Sequence, residues 1–174
     1  MIRLEEFTNK DFERFIGWID NENFMYQFAG SIFSFPITED QLIEYVSDNN
    51  RKIYKVINQI TDKVIGHGEI NRIDKRNRNA RLCRILIADK NDRNKGFGEM
   101  IINELLQMGF KELKLHRIDL GVFEFNKSAI KCYEKCGFTI EGLLRESFVI
   151  DNKFLSAYNM SLLRREWDLM QPIV

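Results

Sequence analysis

Apolar side chains return along this chain at two different spacings, and these spacings predict its secondary structure. From Phe12 to Ile19, and again from Leu42 to Val46, they recur every three or four residues, as on one face of a helix. Stretches of β-branched and aromatic residues bounded by polar turns indicate strands. In chain order we predict a strand at 1–7, helices at 8–19 and 37–50, strands at 51–60, 63–73 and 78–90, a helix from 96 to about 113, a strand at 116–125, a helix at 126–137 and a closing hairpin at 138–167.

Capping residues mark the ends of several predicted helices. Thr8, Thr38 and Asn126 each precede a helical stretch, where their side chains can accept a hydrogen bond from its first free amides. Gly137 follows the last helix and suits the left-handed conformation that often ends one. Residues 21–36 are rich in aromatic side chains but follow neither spacing, and we interpret them as irregular. The sequence predicts a single mixed α/β domain over all 174 residues, with seven strands and four helices.

The composition excludes several functional classes. Hydrophobic side chains make up 44% of the 174 residues and include 14 Phe, which is enough for the core of one domain. The 26 basic and 26 acidic side chains balance, so the total charge indicates neither a nucleic-acid nor a membrane partner. Three Cys without metal-ligand spacing argue against a disulfide framework and against a metal site. The chain has no apolar run near the ~20 residues of a membrane span and no signal-peptide pattern, so we expect a cytoplasmic protein.

Candidate chemistry begins with the segment Asp92–Ile101, which reads DRNKGFGEMI. Gly96 and Gly98 stand one residue apart at the start of a predicted helix, where unpaired backbone N–H groups and the helix dipole attract anions. Positive charge is added nearby by three basic side chains, those of Lys90, Arg93 and Lys95. This segment predicts a binding site for a phosphate-bearing ligand.

Two common phosphate-binding patterns do not match this turn. A P-loop needs Lys and then Ser or Thr after its last Gly, but Glu99 and Met100 follow Gly98. A dinucleotide-binding fingerprint needs a third Gly or Ala where Ile101 stands, and it belongs early in a chain. The sequence therefore argues against a nucleoside triphosphatase and a dinucleotide-binding enzyme. On this turn alone, an ordinary turn before a helix stays an alternative.

A second motif indicates which phosphate-bearing ligand the turn binds. The segment 126–138 reads NKSAIKCYEKCGF and, together with RNKGFG at 93–98, resembles the GCN5-related N-acetyltransferase (GNAT) superfamily, whose members use acetyl-coenzyme A (acetyl-CoA). The family pattern N-x-x-A-x-x-x-Y-x-x-x-G-F is matched by five residues, which are Asn126, Ala129, Tyr133, Gly137 and Phe138. Residues 141–163 also look like the closing hairpin of the branch that holds ribosomal-protein N-terminal and spermidine acetyltransferases.

The resemblance implies a fold and a cofactor site. The fold is a single GNAT-like domain with a twisted, mostly antiparallel sheet whose central strands splay apart, leaving backbone groups that pair with the pantetheine amides of acetyl-CoA or CoA. The implied cofactor-binding residues lie in three segments, namely Leu86, Ile87 and Ala88, then Arg93, Asn94, Lys95, Gly96, Phe97 and Gly98, then Asn126, Ser128, Ala129, Tyr133 and Lys135.

The catalytic residues follow from what acetyl transfer needs. The amine must be neutral, the developing oxyanion needs donors, and the departing thiolate needs a proton. The resemblance assigns the proton to Tyr133, and a strand N–H near Ile87 suits the oxyanion. The base stays open, because Leu82 stands where some family members carry Glu. Glu69 in GHGEI is the candidate base, acting through water, and an exposed strand carboxylate is its alternative, while His67 is ambiguous.

The acceptor is implied to enter near the aromatic-rich segment 24–35. These side chains line a pocket, cover a homodimer interface or pack in the core, and core packing is the commonest arrangement. The acidic residues in 39–48 attract a polycation in one interpretation and form a solvated helix face in the other. We predict direct transfer in a ternary complex to a primary amine of a small molecule or peptide, with a small amine or polyamine preferred. The alternatives are a ribosomal-protein-type N-terminal acetyltransferase and a non-catalytic module that senses acyl-CoA.

Overall fold

Seven strands form one sheet in the computed structural model, which describes residues 1–171. They are β1 (Ile2–Glu6), β2 (Lys52–Asn58), β3 (Lys63–Asp74), β4 (Asn79–Ile87), β5 (Arg117–Phe123), β6 (Thr139–Ile150) and β7 (Lys153–Leu163). Their order across the sheet is β1-β2-β3-β4-β5-β7-β6, and every neighbouring pair is antiparallel except β4 and β5. The predicted seven-stranded, mostly antiparallel sheet is confirmed.

Helices cover both faces of this sheet. They are α1 (Phe12–Gly17), α2 (Glu22–Ala29), α3 (Glu39–Ser47), α4 (Phe97–Gln107), α5 (Lys127–Lys135) and α6 (Arg164–Met170). Ile101 of α4 packs in one core, and Phe15 of α1 packs in a second. Successive strand residues point to opposite faces, and Ile53 and Tyr54 of β2 divide between these two cores. Helices α4 to α6 and α1 to α3 therefore lie on opposite faces.

The central strands β4 and β5 separate soon after they meet. They pair in parallel at Asn79, Ala80 and Arg81 only, although β4 continues to Ile87. Beyond Arg81 the edge of β4 that faces β5 has no strand partner within residues 1–171. The splayed central strands implied by the resemblance are confirmed, and the gap between them leads to the start of α4.

Two helices lie where the sequence predicts none. Helix α2 falls in the segment interpreted as irregular, where Asn21 caps it by accepting a hydrogen bond from the N–H of Phe24 at 2.8 Å. Its buried residues, Met25 and Ala29, are four apart, but half-buried aromatic side chains around the rest of the helix hide this spacing. Helix α6 ends the predicted hairpin early and packs Trp167 against the core.

Candidate active site

The predicted anion site lies at the first turn of α4. Gly96 occupies the N-cap position with a φ of +82°, a conformation that glycine adopts at little cost. The first helical hydrogen bond runs from the N–H of Met100 to the carbonyl of Gly96 at 3.1 Å, and no side chain caps the helix. The preceding amides of Phe97, Gly98 and Glu99 are therefore free, as a helix N-terminus leaves them. This turn can hold a phosphate group.

The basic residues before α4 differ in where they point. Lys95 is exposed and pairs with Asp92 at 3.1 Å, and Asn94 is exposed beside it. Arg93 is half-buried, and its Nε and Nη2 atoms approach the carbonyl oxygen of Ile87 at 3.4 Å. Arg93 thus links the phosphate turn to the end of β4.

The free edge of β4 presents Ile87 to the gap. Ala88 donates its N–H to the carbonyl of Ile65 at 2.9 Å, so this amide is already used on the β3 side. Because backbone groups alternate sides along a strand, the N–H and C=O of Ile87 point toward the gap. Leu86 is buried in the core beneath α1 to α3. Of the three predicted strand positions, Ile87 offers a free backbone N–H, while its carbonyl oxygen faces the guanidinium of Arg93.

Helix α5 closes the other side of the gap. Asn126 caps it by accepting a hydrogen bond from the N–H of Ala129 at 3.2 Å. A Cβ atom at Gly98 would lie 3.4 Å from the Sγ atom of Cys132, so glycine lets α4 approach α5 closely. Exposed Lys135 adds an ion pair to Glu99 at 2.9 Å. The two sequence motifs, which are far apart in the chain, are in direct contact.

Tyr133 projects from the face of α5 that also carries Ala129. Its ring packs at the edge of the core and lies 6.0 Å from the ring of Phe138. Among residues 1–171 its hydroxyl has no hydrogen-bond partner and keeps some solvent contact, so a ligand atom can still form a hydrogen bond with it. Burial raises the pKa of Tyr133 above its ordinary value, which keeps the phenol protonated at neutral pH. A protonated, unpartnered phenol can donate a proton.

Ser128, one residue before Ala129, is exposed and donates a hydrogen bond to the Oδ1 atom of Asn126 at 3.1 Å.

Glu69 is not the exposed strand carboxylate that the sequence leaves as one alternative. It is fully buried, and both of its oxygens accept hydrogen bonds from the guanidinium of Arg84, with Nε at 2.8 Å. The hydroxyl of Tyr45 donates to the same carboxylate. Burial disfavours the charge on Arg84, but the bonds and charge of Glu69 outweigh it and raise the pKa of Arg84. The group acts as a buried anchor between α3, β3 and β4.

His67 lies beside this anchor with no exposed surface. Its Nδ1 atom is 2.9 Å from the carbonyl oxygen of Arg84, and its ring packs at 5.0 Å from that of Phe15. Burial lowers the pKa of His67 from its ordinary 6.5 to about 4. The ring is therefore neutral near pH 7 and serves the packing of this core.

This buried histidine makes stability depend on pH. The unfolded chain binds a proton at His67 below pH 6.5, whereas the folded protein resists it down to about pH 4. Stability is therefore lost as the pH falls through this window, by roughly 3 kcal/mol in total. We expect the difference in unfolding free energy between pH 7 and pH 5, measured in urea, to shrink in His67→Gln. An equal difference in both proteins would contradict this expectation.

The aromatic and acidic residues near the implied acceptor entrance include both buried and exposed side chains. Phe33 is buried in the core beneath α1 to α3, and Phe35 is 40% exposed. Glu39, Asp40 and Glu44 of α3 are exposed.

Within residues 1–171 no three His, Cys, Asp or Glu side chains form a group that could hold a metal ion, and the three cysteines are free thiols.

Comparison with known proteins identifies the family. The model of the acetyltransferase (GNAT) family matches residues 7–138, well over half of the chain. This chain belongs to the GNAT family. As the resemblance predicts, this GNAT protein is an acyltransferase, an N-acetyltransferase that uses acetyl-CoA as its co-substrate. No helix among the described residues of this acetyltransferase is long and apolar enough to cross a membrane.

Two relatives and one solved structure are similar to this acetyltransferase. A spermidine N(1)-acetyltransferase of Vibrio cholerae serotype O1 is 32% identical over 149 residues, covering 85% of this chain and 84% of that protein. An L-amino acid N-acetyltransferase of Escherichia coli K12 is 30% identical over 110 residues, covering 63% of this chain and 67% of that protein. The crystal structure of the Vibrio cholerae spermidine enzyme with CoA and spermine matches with a TM-score of 0.83 at 28% identity, covering 95% and 97% of the two chains. The predicted similarity to the spermidine branch is confirmed.

Proposed function

We propose that this enzyme acetylates a small primary amine by direct transfer in a ternary complex, with Tyr133 as the general acid. The observation that carries the proposal is the open, protonated hydroxyl of Tyr133 on the helix that touches the phosphate turn. A sensor of acyl-CoA would have no need of a proton donor there. The acid would protonate the departing sulfur, which is a usual function of such a group.

The residues present fit acetyl-CoA. The free amides at the start of α4 and the side chains of Arg93 and Lys95 suit a pyrophosphate. The gap-facing backbone of Ile87 suits the amides of a pantetheine arm, and Ala129 leaves space for that arm. When bound, the thioester supplies the acetyl group.

The transfer balances without a further reactant. A bond forms between the amine nitrogen and the acetyl carbon, the carbon–sulfur bond breaks, the nitrogen loses one proton and the sulfur gains one. Tyr133 delivers the proton to the sulfur, and solvent returns a proton to the phenol. The enzyme therefore needs a neutral amine, held close to β4 where the strands separate.

We propose that Glu69 acts by positioning instead of as the base. A proton acceptor must be reached by the amine or by water, but Glu69 is fully buried and its oxygens are occupied by Arg84 and Tyr45. The carboxylate therefore fixes Arg84, and with it the backbone of β4 beside the gap. The amine would lose its proton to solvent.

The proposal also specifies the kind of amine that accepts the acetyl group. The relatives named for spermidine and for L-amino acids both support a small-molecule amine over a protein N-terminus. A protein N-terminus as acceptor and a non-catalytic acyl-CoA sensor are the alternatives to this proposal, and a homodimer and a cytoplasmic location stay predictions.

An amine panel tests this proposal. We expect free CoA thiol to be released from acetyl-CoA when the protein is incubated with small primary amines, and the release without amine to be much slower. A peptide with a free N-terminus included in the panel separates the ribosomal-protein-type alternative. Tight CoA binding without thiol release for any amine would support the sensor and overturn the proposal.

A further inference from the structure

A cavity of about 370 Å³ opens on the α1-to-α3 side of the sheet, beside the point where β4 and β5 separate. Its walls are the end of α2, the loop after α3 and the adjoining parts of β3 and β4. Arg84, which lies three residues past the last β4–β5 pair, forms part of its wall. The cavity therefore reaches the strand that borders the acetyl-CoA gap.

The charges around this cavity are mainly positive. Three arginines line it, Arg51, Arg72 and Arg84, against one carboxylate, Asp48. Asp48 already accepts hydrogen bonds from Arg51, with Nε at 3.0 Å and Nη2 at 2.6 Å. Even when buried Glu69 is counted as the partner of Arg84, one guanidinium remains in excess.

Two of these guanidinium groups have unused donors. Among the described residues the buried Nη1 atom of Arg51 has no hydrogen-bond partner, and it lies 3.9 Å from the Oε2 atom of Glu69. Within the part of the chain that the structure describes, the side chain of exposed Arg72 forms no ion pair. A carboxylate between such groups would accept charge-assisted hydrogen bonds, which suit the planar fork of arginine.

The backbone holds two of the arginines in an unusual conformation. Arg72 has a φ of +50° and Arg84 has a φ of +49°, and each lies where the register between β3 and β4 shifts. A residue with a Cβ atom adopts this left-handed region at a cost of roughly 1–2 kcal/mol. Such strain concentrates at functional sites, where the surrounding structure maintains it. The two register shifts between β3 and β4 thus determine the positions of both arginines.

We propose that the amine acceptor of this enzyme carries a carboxylate, as amino acids do, and that the arginine-lined cavity binds that carboxylate. This inference rests on the proposed function and narrows its substrate class. A polyamine brings further positive charges, which this cavity would repel, and the carboxylates near it are already paired. The segment 30–38 between α2 and α3 adds no acidic residue. A cavity of about 370 Å³ lies at the small end of ligand pockets, which suits an amino-acid-sized molecule.

Matched pairs of acceptors test the charge directly. Thiol release is measured for amino acids and for their amides, which differ in the carboxylate and keep the rest of the molecule, and for spermidine and putrescine. β-Alanine and γ-aminobutyrate show how far the carboxylate stands from the amine. We expect kcat/KM to be about tenfold or more higher for acids than for their amides, since a charge-assisted hydrogen bond has about that effect.

A variant of the exposed arginine identifies the site. In Arg72→Ala we expect KM for the carboxylate-bearing acceptor to rise about tenfold, with little change in kcat or in KM for the amide. Arg76→Ala is the matched control, because Arg76 is an exposed arginine in the turn between β3 and β4 that does not line the cavity. It should behave as the unaltered enzyme.

The outcomes separate this inference from the proposed function. Acetylation of polyamines or amides in preference to acids would overturn the carboxylate inference and leave the N-acetyltransferase intact. A preference for acids that persists unchanged in Arg72→Ala would exclude Arg72 from the site and overturn the inference. The absence of thiol release with every amine would overturn the proposed function itself.

Discussion

Replacing Tyr133 by phenylalanine is expected to lower kcat by at least about tenfold, as the loss of a general acid does. The variant keeps the ring that packs against Phe138 and removes the hydroxyl, which has no partner among the described residues. Affinity for CoA should therefore change little, because the substitution leaves the free amides at the start of α4 unaltered. Steady-state thiol release and calorimetric titration with CoA measure the two quantities separately.

Tyr54→Phe is the matched control for this variant. Tyr54 packs in the same core as Tyr133 but projects from β2, and burial raises its pKa to about 12. Loss of its hydroxyl should leave kcat unchanged. If Tyr133→Phe turned over as fast as the unaltered enzyme, Tyr133 would have no part in the chemistry and the thiolate would leave without its help.

The second large effect concerns stability. We expect Glu69→Gln to lower the free energy of unfolding by about 3–5 kcal/mol, the usual cost of leaving a buried charge unpaired. The amide has the shape of the carboxylate but cannot neutralise Arg84, whose side chain is only 7% exposed. The neighbouring hydroxyl of Tyr45 also loses a charged acceptor. Urea unfolding monitored by tryptophan fluorescence measures the change.

An exposed ion pair of similar geometry provides the comparison. Arg117 donates to both oxygens of Glu141, at 2.5 and 2.6 Å, on the surface of the sheet. Because water screens this pair, Glu141→Gln should cost less than about 1 kcal/mol. Equal losses in the two variants would show that Glu69 is not the buried anchor described above. Replacing Arg84 by Met together with Glu69→Gln should recover part of the loss, since no unpaired charge then remains.

The strands and the cofactor motifs could be predicted from the sequence, because local patterns determine them. The spacing of Asn126, Ala129 and Tyr133 places them on one helix face whatever the rest of the chain does. The helix that contains Met25 was missed, since aromatic side chains on several of its faces conceal the buried stripe. Its cap, Asn21, was the available signal.

The surroundings of Glu69 could not be predicted, because they depend on pairing between strands. GHGEI gives no sign that its carboxylate meets an arginine on the next strand. That meeting depends on the register shift at which Arg84 adopts a positive φ, and a non-glycine residue in that conformation leaves no mark in a sequence. The arginine-lined cavity was missed for the same reason, since Arg72 lies at a second shift.

The short contact between β4 and β5 has a consequence for the whole molecule. In the described part of the chain three residue pairs join these two strands. The sheet therefore consists of two groups of strands, β1 to β4 and β5 to β7, that are connected by a short stretch of pairing. A molecule of acetyl-CoA lying in the gap between β4 and β5 would contact both groups of strands, as an additional strand would. Because a ligand that binds only the folded protein stabilises it, the co-substrate of this enzyme would also stabilise the junction between these two strands.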